Sequence, residues 1–260
     1  MNFAFGAARG LYARKIHPRV LMGPEDLKRL QTAVRSGTGR RLFVALRRKT
    51  DSLRDRVLST EALPEMLSQW NAKWDNPGTT VIWGLHDMAL VASIAGEAKM
   101  IEAVRRVLVA LPEADKILGR DGKNVGYGME PYVPLAYDLL HDLLPESDCA
   151  VFRRWALDFF VRFTLEKPHR FLFNSAGANI PMGEMLTGFA GLLAIDGDPG
   201  LPDLASEKDT YVRMLEASLN AGIGPEGYPE EDGGYGFGMA GWLAYDAEAA
   251  RRAGLLDPYR

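Results

Sequence analysis

The sequence predicts an all-α fold, an incomplete (α/α) toroid of antiparallel helical hairpins. Apolar residues recur at three- and four-residue steps along most of the chain, and the two-residue alternation of strands is almost absent. The connections IAGEAKM and AIDGDPG look alike, since each joins two helices through glycine and an acidic residue. Such a loose repeat of hairpins is typical of toroids and solenoids. No low-complexity linker interrupts residues 1–260, so we predict one domain.

The first predicted hairpin follows an irregular lead-in that closes at His17-Pro18. Gly23-Pro24 begins its first helix, because proline is favoured in the first turn, and Gly37-Thr38-Gly39 is expected to end it. The second helix should reach about Ser59. The apolar residues expected to face inward along this hairpin are Leu27, Leu30, Val34, Leu42, Leu46, Leu53 and Val57.

The same periodicity predicts the remaining helices. One pair should run from Thr79 to Gly96 and then from Met100 to a stop near Pro112. A third pair begins with Leu135, Leu139 and Leu143, and its second helix carries Phe152, Trp155, Phe159 and Phe163. A fourth pair consists of the helix after Asn179 and residues 206–222, and a last helix is expected from about Gly238 to Gly254.

Composition excludes several classes of function. A formal net charge of -3 argues against a nucleic-acid-binding face. The single cysteine excludes a disulfide framework or a multi-cysteine metal site, and four scattered histidines argue against a histidine-rich one. We therefore expect no metal and no cofactor.

The apolar runs are too short to predict a membrane partner. None approaches the roughly 20 residues of a membrane span. Arg9, Arg14 and Lys15 interrupt the apolar start, which is unlike a signal peptide. A cytoplasmic location is expected, or a periplasmic one if the native gene encodes a signal peptide ahead of this sequence.

The first candidate site lies at the start of the helix within residues 174–198. Two amides, Asn174 and Asn179, and one carboxylate, Glu184, stand where this apolar helix begins. The glycines nearby allow backbone or a ligand to come close. Asn179 could equally be a helix cap, whereas a glutamate inside an apolar helix needs a partner.

A second candidate stretch, GPEGYPEEDGGYGFG, is rich in glycine and proline and is predicted to be an irregular loop. It carries Tyr228, Glu230, Tyr235 and Phe237, and aromatic rings on an irregular rim suit stacking on sugars. The alternative is a self-packed Ω-loop in which these rings hold the loop to the body.

Three further features are candidates for substrate binding. His169 lies in the loop that leads to the Asn179 helix, whereas His86 and His141 read as core or surface histidines. Trp70 and Trp74 could wall a cleft or simply pack. A basic patch could bind an acidic polysaccharide, or it could simply be a solvated helix face. The residues of this patch are Arg40, Arg41, Arg47, Arg48 and Lys49.

Four segments resemble the helical domain of heparinase II/III-like polysaccharide lyases. HPRVLMGPEDLKRLQ resembles the family's His-Pro-Arg opening and first helix, and LAYDLLHDLLPESD resembles its tyrosine-aspartate helix. ANIPMGEMLTGFAGLLAIDGD is similar to its Asn-His-x-x-Gly-Glu helix. GYPEEDGGYGFG is similar to its Pro-Glu-Gly-x-Gly-Tyr loop. The order and spacing of the four segments cover nearly the whole chain.

The resemblance implies β-elimination on an acidic, uronate-containing poly- or oligosaccharide. Asn179 matches the asparagine that neutralises the uronate carboxylate, and Glu184 matches its supporting glutamate. Tyr235 matches the catalytic acid/base, with Tyr228 as the alternative tyrosine. The family also implies a C-terminal β-sandwich domain, of which this chain would be the helical counterpart.

Two other functions are compatible with the same residues. A non-catalytic carbohydrate-binding toroid would line its groove with Trp70, Trp74 and Tyr235. A toroidal glycoside hydrolase would need two carboxylates facing each other across a cleft, for which Glu230 and Asp232 are the candidates.

Overall fold

The computed structural model describes residues 12, 15–70, 76–119, 131–166, 179–222 and 233–257. For residues 179–181, 222, 233–239 and 242 it describes the backbone alone. The secondary structure within these ranges is helical and contains no strand, so the predicted all-α class is confirmed.

The helices follow the predicted order. We number them α1 (Pro24–Ala33), α2 (Gly37–Ser59), α3 (Leu63–Leu67), α4 (Pro77–Ala95), α5 (Ala98–Leu118), α6 (Tyr132–Leu140), α7 (Glu146–Ala156), α8 (Asn179–Ile195), α9 (Ala205–Gly222) and α10 (Gly233–Ala253). A short 3₁₀ helix, His141–Leu143, follows α6. A π-helical segment, Leu157–Arg162, and one α-helical turn, Phe163–Glu166, extend α7.

The core is organised around α4 and α8. Helix α4 packs against α1, α2, α3, α5 and α6, while α8 packs against α6, α9, α10 and the π-helical segment. Every residue from Met182 to Ile195 is buried. Because α8 is apolar on all sides rather than on one stripe, it occupies the interior.

Three helix boundaries differ from the prediction. Helix α2 begins at Gly37, where the sequence suggested only a connection. Helix α5 continues through Pro112 to Leu118, although proline removes one backbone hydrogen bond. Beyond Pro112, Ala114 and Asp115 are buried, and the Asp115 carboxylate accepts a 3.1 Å bond from the Trp155 indole. These tertiary contacts favour continuation of the helix.

The start of α10 is the third difference. The helix begins at Gly233, five residues before the predicted Gly238, so part of the expected loop is helical. Glycines disfavour helix, but α10 packs along α8 and α9, and such tertiary contacts override local propensity.

Two leucines of the predicted helical pattern are exposed. Leu42 is 67% exposed and Leu143 is 50% exposed. The buried residues of α2 (Thr50, Leu53 and Val57) all lie in its second half. In its first half, Phe43 and Leu46 are only partly buried against the core.

The glycines of α8 permit the close approach that the sequence suggested. A Cβ at Gly188 would lie 2.9 Å from the Phe160 carbonyl oxygen and would also strike the Tyr211 hydroxyl. A Cβ at Gly191 would lie 2.7 Å from the Phe160 Cβ. The Tyr211 hydroxyl donates to the Phe160 and Val161 carbonyls of the π-helical segment, at 3.1 Å and 2.9 Å. The glycines therefore allow α8, α9 and the π-helical segment to pack closely together.

Gly188→Ala is expected to lower the free energy of unfolding by about 1–3 kcal/mol, the usual cost of overpacking. Gly241→Ala in α10 is the matched control, because a Cβ there meets nothing within 4 Å. That change should instead stabilise by about 0.5–1 kcal/mol, since alanine is the better helix former. Urea denaturation of both variants measures the difference, and equal effects would argue against the close packing of Gly188.

Helix α4 is long and apolar enough, by length and composition alone, to cross a membrane. In this protein 61% of its apolar window is buried against other helices. Its apolar character is therefore accounted for by its central place in the core.

Candidate functional site

The first residues of α8 and α10 lie at one end of the molecule. Helix α9 runs antiparallel to α8, because Lys208 at its start pairs with Asp196 just beyond α8, whereas Tyr211 reaches back to Gly188. At the end of α10, Arg252 pairs with Asp26 at the start of α1.

The lead-in before α1 shows that α8 and α10 are parallel. Arg19, a few residues before α1, donates to the Leu193 and Ala194 carbonyls at the end of α8. The carboxyl ends of α8 and α10 are thus neighbours. The two helices also pack against each other, so their amino ends point the same way. We call the region at these amino ends the α8–α10 mouth; it includes the backbones of Asn179 and Gly233–Gly238.

Further along from the mouth, helices α8, α9 and α10 bury two carboxyl groups and a tyrosine. Glu184 is 0% exposed and Asp246 is 1% exposed. Burial raises the pKa of Asp246 well above its ordinary value. Burial likewise raises the pKa of Tyr211, and the charges of Asp246 and Glu184 raise it further. Glu184 therefore lies within the protein and could act on a bound sugar only by positioning other groups.

The described residues include some of the predicted site. Asn179 is the first residue of α8 and Tyr235 lies in the first turn of α10, both within the mouth as backbone positions. Their side chains lie outside the described residues. So do Asn174, His169, Trp74, Tyr228 and Glu230, each of which stays a prediction.

Trp70 does not have the position expected of a sugar-stacking residue. It is 4% exposed and belongs to the hydrophobic core, which agrees with the packing alternative. Its carbonyl oxygen also accepts a hydrogen bond from Thr79 at the start of α4. Because the ring is part of the core, we remove Trp70 from the candidate substrate site.

The basic patch on α2 is partly neutralised. Arg47 pairs with Glu97 at 2.7 Å, and Lys49 pairs with Asp87 at 2.8 Å. These exposed contacts favour the solvated-face alternative over a polysaccharide-binding surface.

The most densely bonded polar cluster among the described residues surrounds Asp198. The Asp198 Oδ1 atom accepts from the Arg19 guanidinium at 2.9 Å and lies 3.3 Å from the His17 Nε2 atom. Its Oδ2 atom accepts from the Tyr137 hydroxyl at 3.0 Å and lies 3.8 Å from the His141 Nε2 atom. The Asp198 side chain is 3% exposed, so this carboxylate is charged and buried but well compensated.

A second carboxylate, Asp138 on α6, holds residues 17–20, the segment that leads into α1. It accepts from the backbone amides of Arg19 and Val20, at 3.0 Å and 2.9 Å through its Oδ2 atom. It also accepts from the His17 Nδ1 atom at 2.7 Å. The His17 and His141 rings stack at 3.8 Å between centroids and 13° between planes. Residues 17–20 are thus held by side chains more than one hundred positions away.

The charges in this cluster shift two pKa values in opposite directions. Burial lowers the pKa of His17, but the hydrogen bonds to Asp138 and Asp198 outweigh it and leave the pKa raised. Burial raises the pKa of Asp198, but the His17 bond and the Arg19 charge outweigh it and leave the pKa lowered. Both shifts favour an ionised pair.

The sequence does not predict this cluster. The histidines are scattered along the chain, and His141 reads as a core or surface histidine, whereas the fold brings His17 and His141 into contact. The available signal was the polar residues inside apolar runs: Asp138 within LAYDLL, and Asp198 directly after the apolar α8. The ligand atoms of His17, His141 and Asp198 lie within 4.8 Å of one another, so these three residues could hold a metal ion.

Comparisons with protein-family models, curated proteins and solved structures give no match to this chain. The resemblance to heparinase II/III-like lyases therefore remains a prediction from the four segments quoted above.

Proposed function

We propose that this chain is a polysaccharide lyase, or the helical half of one, that cleaves a uronate-containing glycan by β-elimination at the α8–α10 mouth. The observation that carries the proposal is the parallel packing of α8 and α10. It supports a shared site for Asn179 and Tyr235, which are 56 positions apart in the sequence.

The electrostatics of the mouth support an anionic substrate. A helix amino end carries a partial positive charge and N–H groups that can bind an anion, and two parallel helices add their fields at the same end. A uronate carboxylate placed there is stabilised. Stabilisation grows when the sugar loses its C5 proton, because negative charge then spreads into the carboxylate.

In the proposed reaction Asn179 donates from its amide to the substrate carboxylate and so acidifies the C5 proton. Tyr235 removes that proton, and the electron pair forms a double bond as the glycosidic oxygen leaves. The proton then passes to the leaving oxygen, with Tyr235 as the acid. Glu184 is assigned a positioning role because it is fully buried, five residues after Asn179 in α8.

We further propose that the helix pairs curve into an incomplete (α/α) toroid whose groove opens at the mouth. The packing of α1 on α2, α4 on α5, and α8 on α9 supports successive hairpins. The partner of this groove is an acidic poly- or oligosaccharide, and the predicted β-sandwich would belong to a longer form of the protein.

The experiment is an elimination assay on a panel of uronate-containing glycans, with a neutral glycan as control. We expect an unsaturated uronate end, detected by its ultraviolet absorbance, from one or more acidic substrates and none from the neutral one. Release of reducing ends without that absorbance would indicate a glycoside hydrolase. No product from any uronate would contradict the lyase.

A further inference from the structure

We propose that His17, His141 and Asp198 form a binding site for a divalent transition-metal ion, with Zn²⁺ as the reference ion. This inference is independent of the proposed lyase activity. The site lies at the carboxyl end of α8, away from the α8–α10 mouth. It would join the lead-in, the 3₁₀ helix after α6 and the connection between α8 and α9.

A carboxylate orients each of the two imidazole rings. The His17 Nδ1 atom lies 2.7 Å from an Asp138 oxygen, and the His141 Nδ1 atom lies 2.7 Å from an Asp142 oxygen. An ionised carboxylate only accepts, so each Nδ1 carries a proton. The Nε2 atom of each ring is then the one that can bind a metal ion. A carboxylate behind a histidine is the usual support of a metal-binding imidazole.

The two Nε2 atoms converge on the Asp198 carboxylate. The His17 Nε2 atom lies 3.3 Å from Oδ1, and the His141 Nε2 atom lies 3.8 Å from Oδ2. The His141 Nε2 atom is buried and has no hydrogen-bond partner among the described residues. A metal ion would replace the proton that His17 shares with Oδ1 and would give the His141 Nε2 atom a partner.

One divalent ion shared by the two Nε2 atoms and an Asp198 carboxylate oxygen would satisfy all three groups. Oδ1 accepts from the Arg19 guanidinium and Oδ2 from the Tyr137 hydroxyl. Neither bond blocks the ion, because a carboxylate oxygen has a second lone pair.

The local charge and dimensions favour a divalent ion. Asp138, Asp142 and Asp198 contribute three negative charges and Arg19 one positive charge, which leaves two negative charges when the histidines are neutral. The carboxyl end of α8 adds partial negative charge.

With Zn–N distances of about 2.0–2.1 Å, tetrahedral ligand atoms are about 3.4 Å apart. The three atoms here are within 4.8 Å and would need to draw slightly closer. Two imidazoles and one carboxylate suit Zn²⁺ and leave a fourth position for water. The His141 side chain is 21% exposed and provides access for the ion.

The test is calorimetric titration of ZnCl₂ into untagged, chelator-treated protein, together with thermal unfolding with and without Zn²⁺. We expect one Zn²⁺ per chain and a higher Tm with the ion, since a ligand that binds only the folded state stabilises it. His141→Ala should weaken binding at least about 100-fold, and Asp142→Asn about 10-fold or more, as for loss of a supporting carboxylate. His86→Gln, a histidine outside the cluster, should bind as the wild type does.

Absence of Zn²⁺ binding by the wild type would overturn the proposal. Equal binding by His141→Ala would also overturn it, because the ion would then bind elsewhere. If His141→Ala does not fold, the visible absorption spectrum of Co²⁺ added to the wild-type protein tests the site instead. Visible absorption of a four-coordinate Co²⁺ ion that is abolished in Asp142→Asn or displaced by Zn²⁺ supports the site. A spectrum of hydrated Co²⁺ rejects it.

Discussion

Replacing Asp198 with alanine is expected to lower the free energy of unfolding by about 3–5 kcal/mol, as when one partner of a buried ion pair is removed. The change would leave the fully buried Arg19 guanidinium without its carboxylate. It would also remove the acceptor of the Tyr137 hydroxyl. Urea denaturation with linear extrapolation gives the difference.

Asp209→Ala is the control for this prediction. Asp209 is 72% exposed and pairs with Arg213 one turn away on α9. Exposed pairs of this kind contribute little, so the control should change the unfolding free energy by less than about 0.5 kcal/mol. Similar losses in both variants would show that the Asp198 cluster does not stabilise the fold.

The difference between the wild type and Asp198→Ala should depend on pH in a defined direction. The pKa of Asp198 is lowered from 3.8, so its contribution is present above that pH and is lost on acidification. The pKa of His17 is raised from 6.5, so its contribution is present below that pH and is lost as pH rises through the raised value. The difference should be largest between about pH 4 and 6.5. A difference that keeps increasing toward pH 9 would contradict this assignment.

Replacing Tyr235 with phenylalanine is expected to reduce the elimination rate about 10²- to 10⁴-fold, the usual contribution of a general acid or base. The fold should be unchanged, because only one hydroxyl is removed. Tyr245→Phe is the matched control, since Tyr245 lies on the same helix and is 51% exposed. That variant should retain wild-type activity, and circular dichroism checks that both variants are folded.

Tyr228→Phe separates the two candidate tyrosines. If Tyr235 is the acid/base, Tyr228→Phe affects substrate affinity more than the rate at saturation. A large loss of rate in Tyr228→Phe with normal activity in Tyr235→Phe would transfer the role to Tyr228. Normal rates in both would remove tyrosine from the mechanism.

Periodicity predicted the helices well because each helical face is a local pattern. The order of helices, the central apolar α8 and its pairing with α9 could all be read from residue spacing. The boundaries at Pro112 and Gly233 could not, because tertiary packing stabilises helix at residues whose own preference opposes it.

The Asp198 cluster was not predicted because its contacts are entirely non-local. His17 is 121 positions from Asp138 and 181 from Asp198, and no spacing rule relates residues so far apart. The sequence also does not predict that Trp70 is buried, since a tryptophan next to a loop can pack inward or face a cleft. The sequence shows the two motifs of the candidate site but does not show that they lie together. The parallel packing of α8 and α10 brings them to the same end of the helices.

A uronate site at the α8–α10 mouth is tested most directly by calorimetric titration of an acidic uronate oligosaccharide into the wild type and Asn179→Ala. A neutral oligosaccharide of equal length serves as the control ligand. We expect the wild type to bind the acidic sugar and not the neutral one. We expect Asn179→Ala to weaken binding at least about tenfold, or about 1.4 kcal/mol. Undiminished binding by Asn179→Ala, or no preference for the acidic sugar, would contradict a uronate site at the α8–α10 mouth.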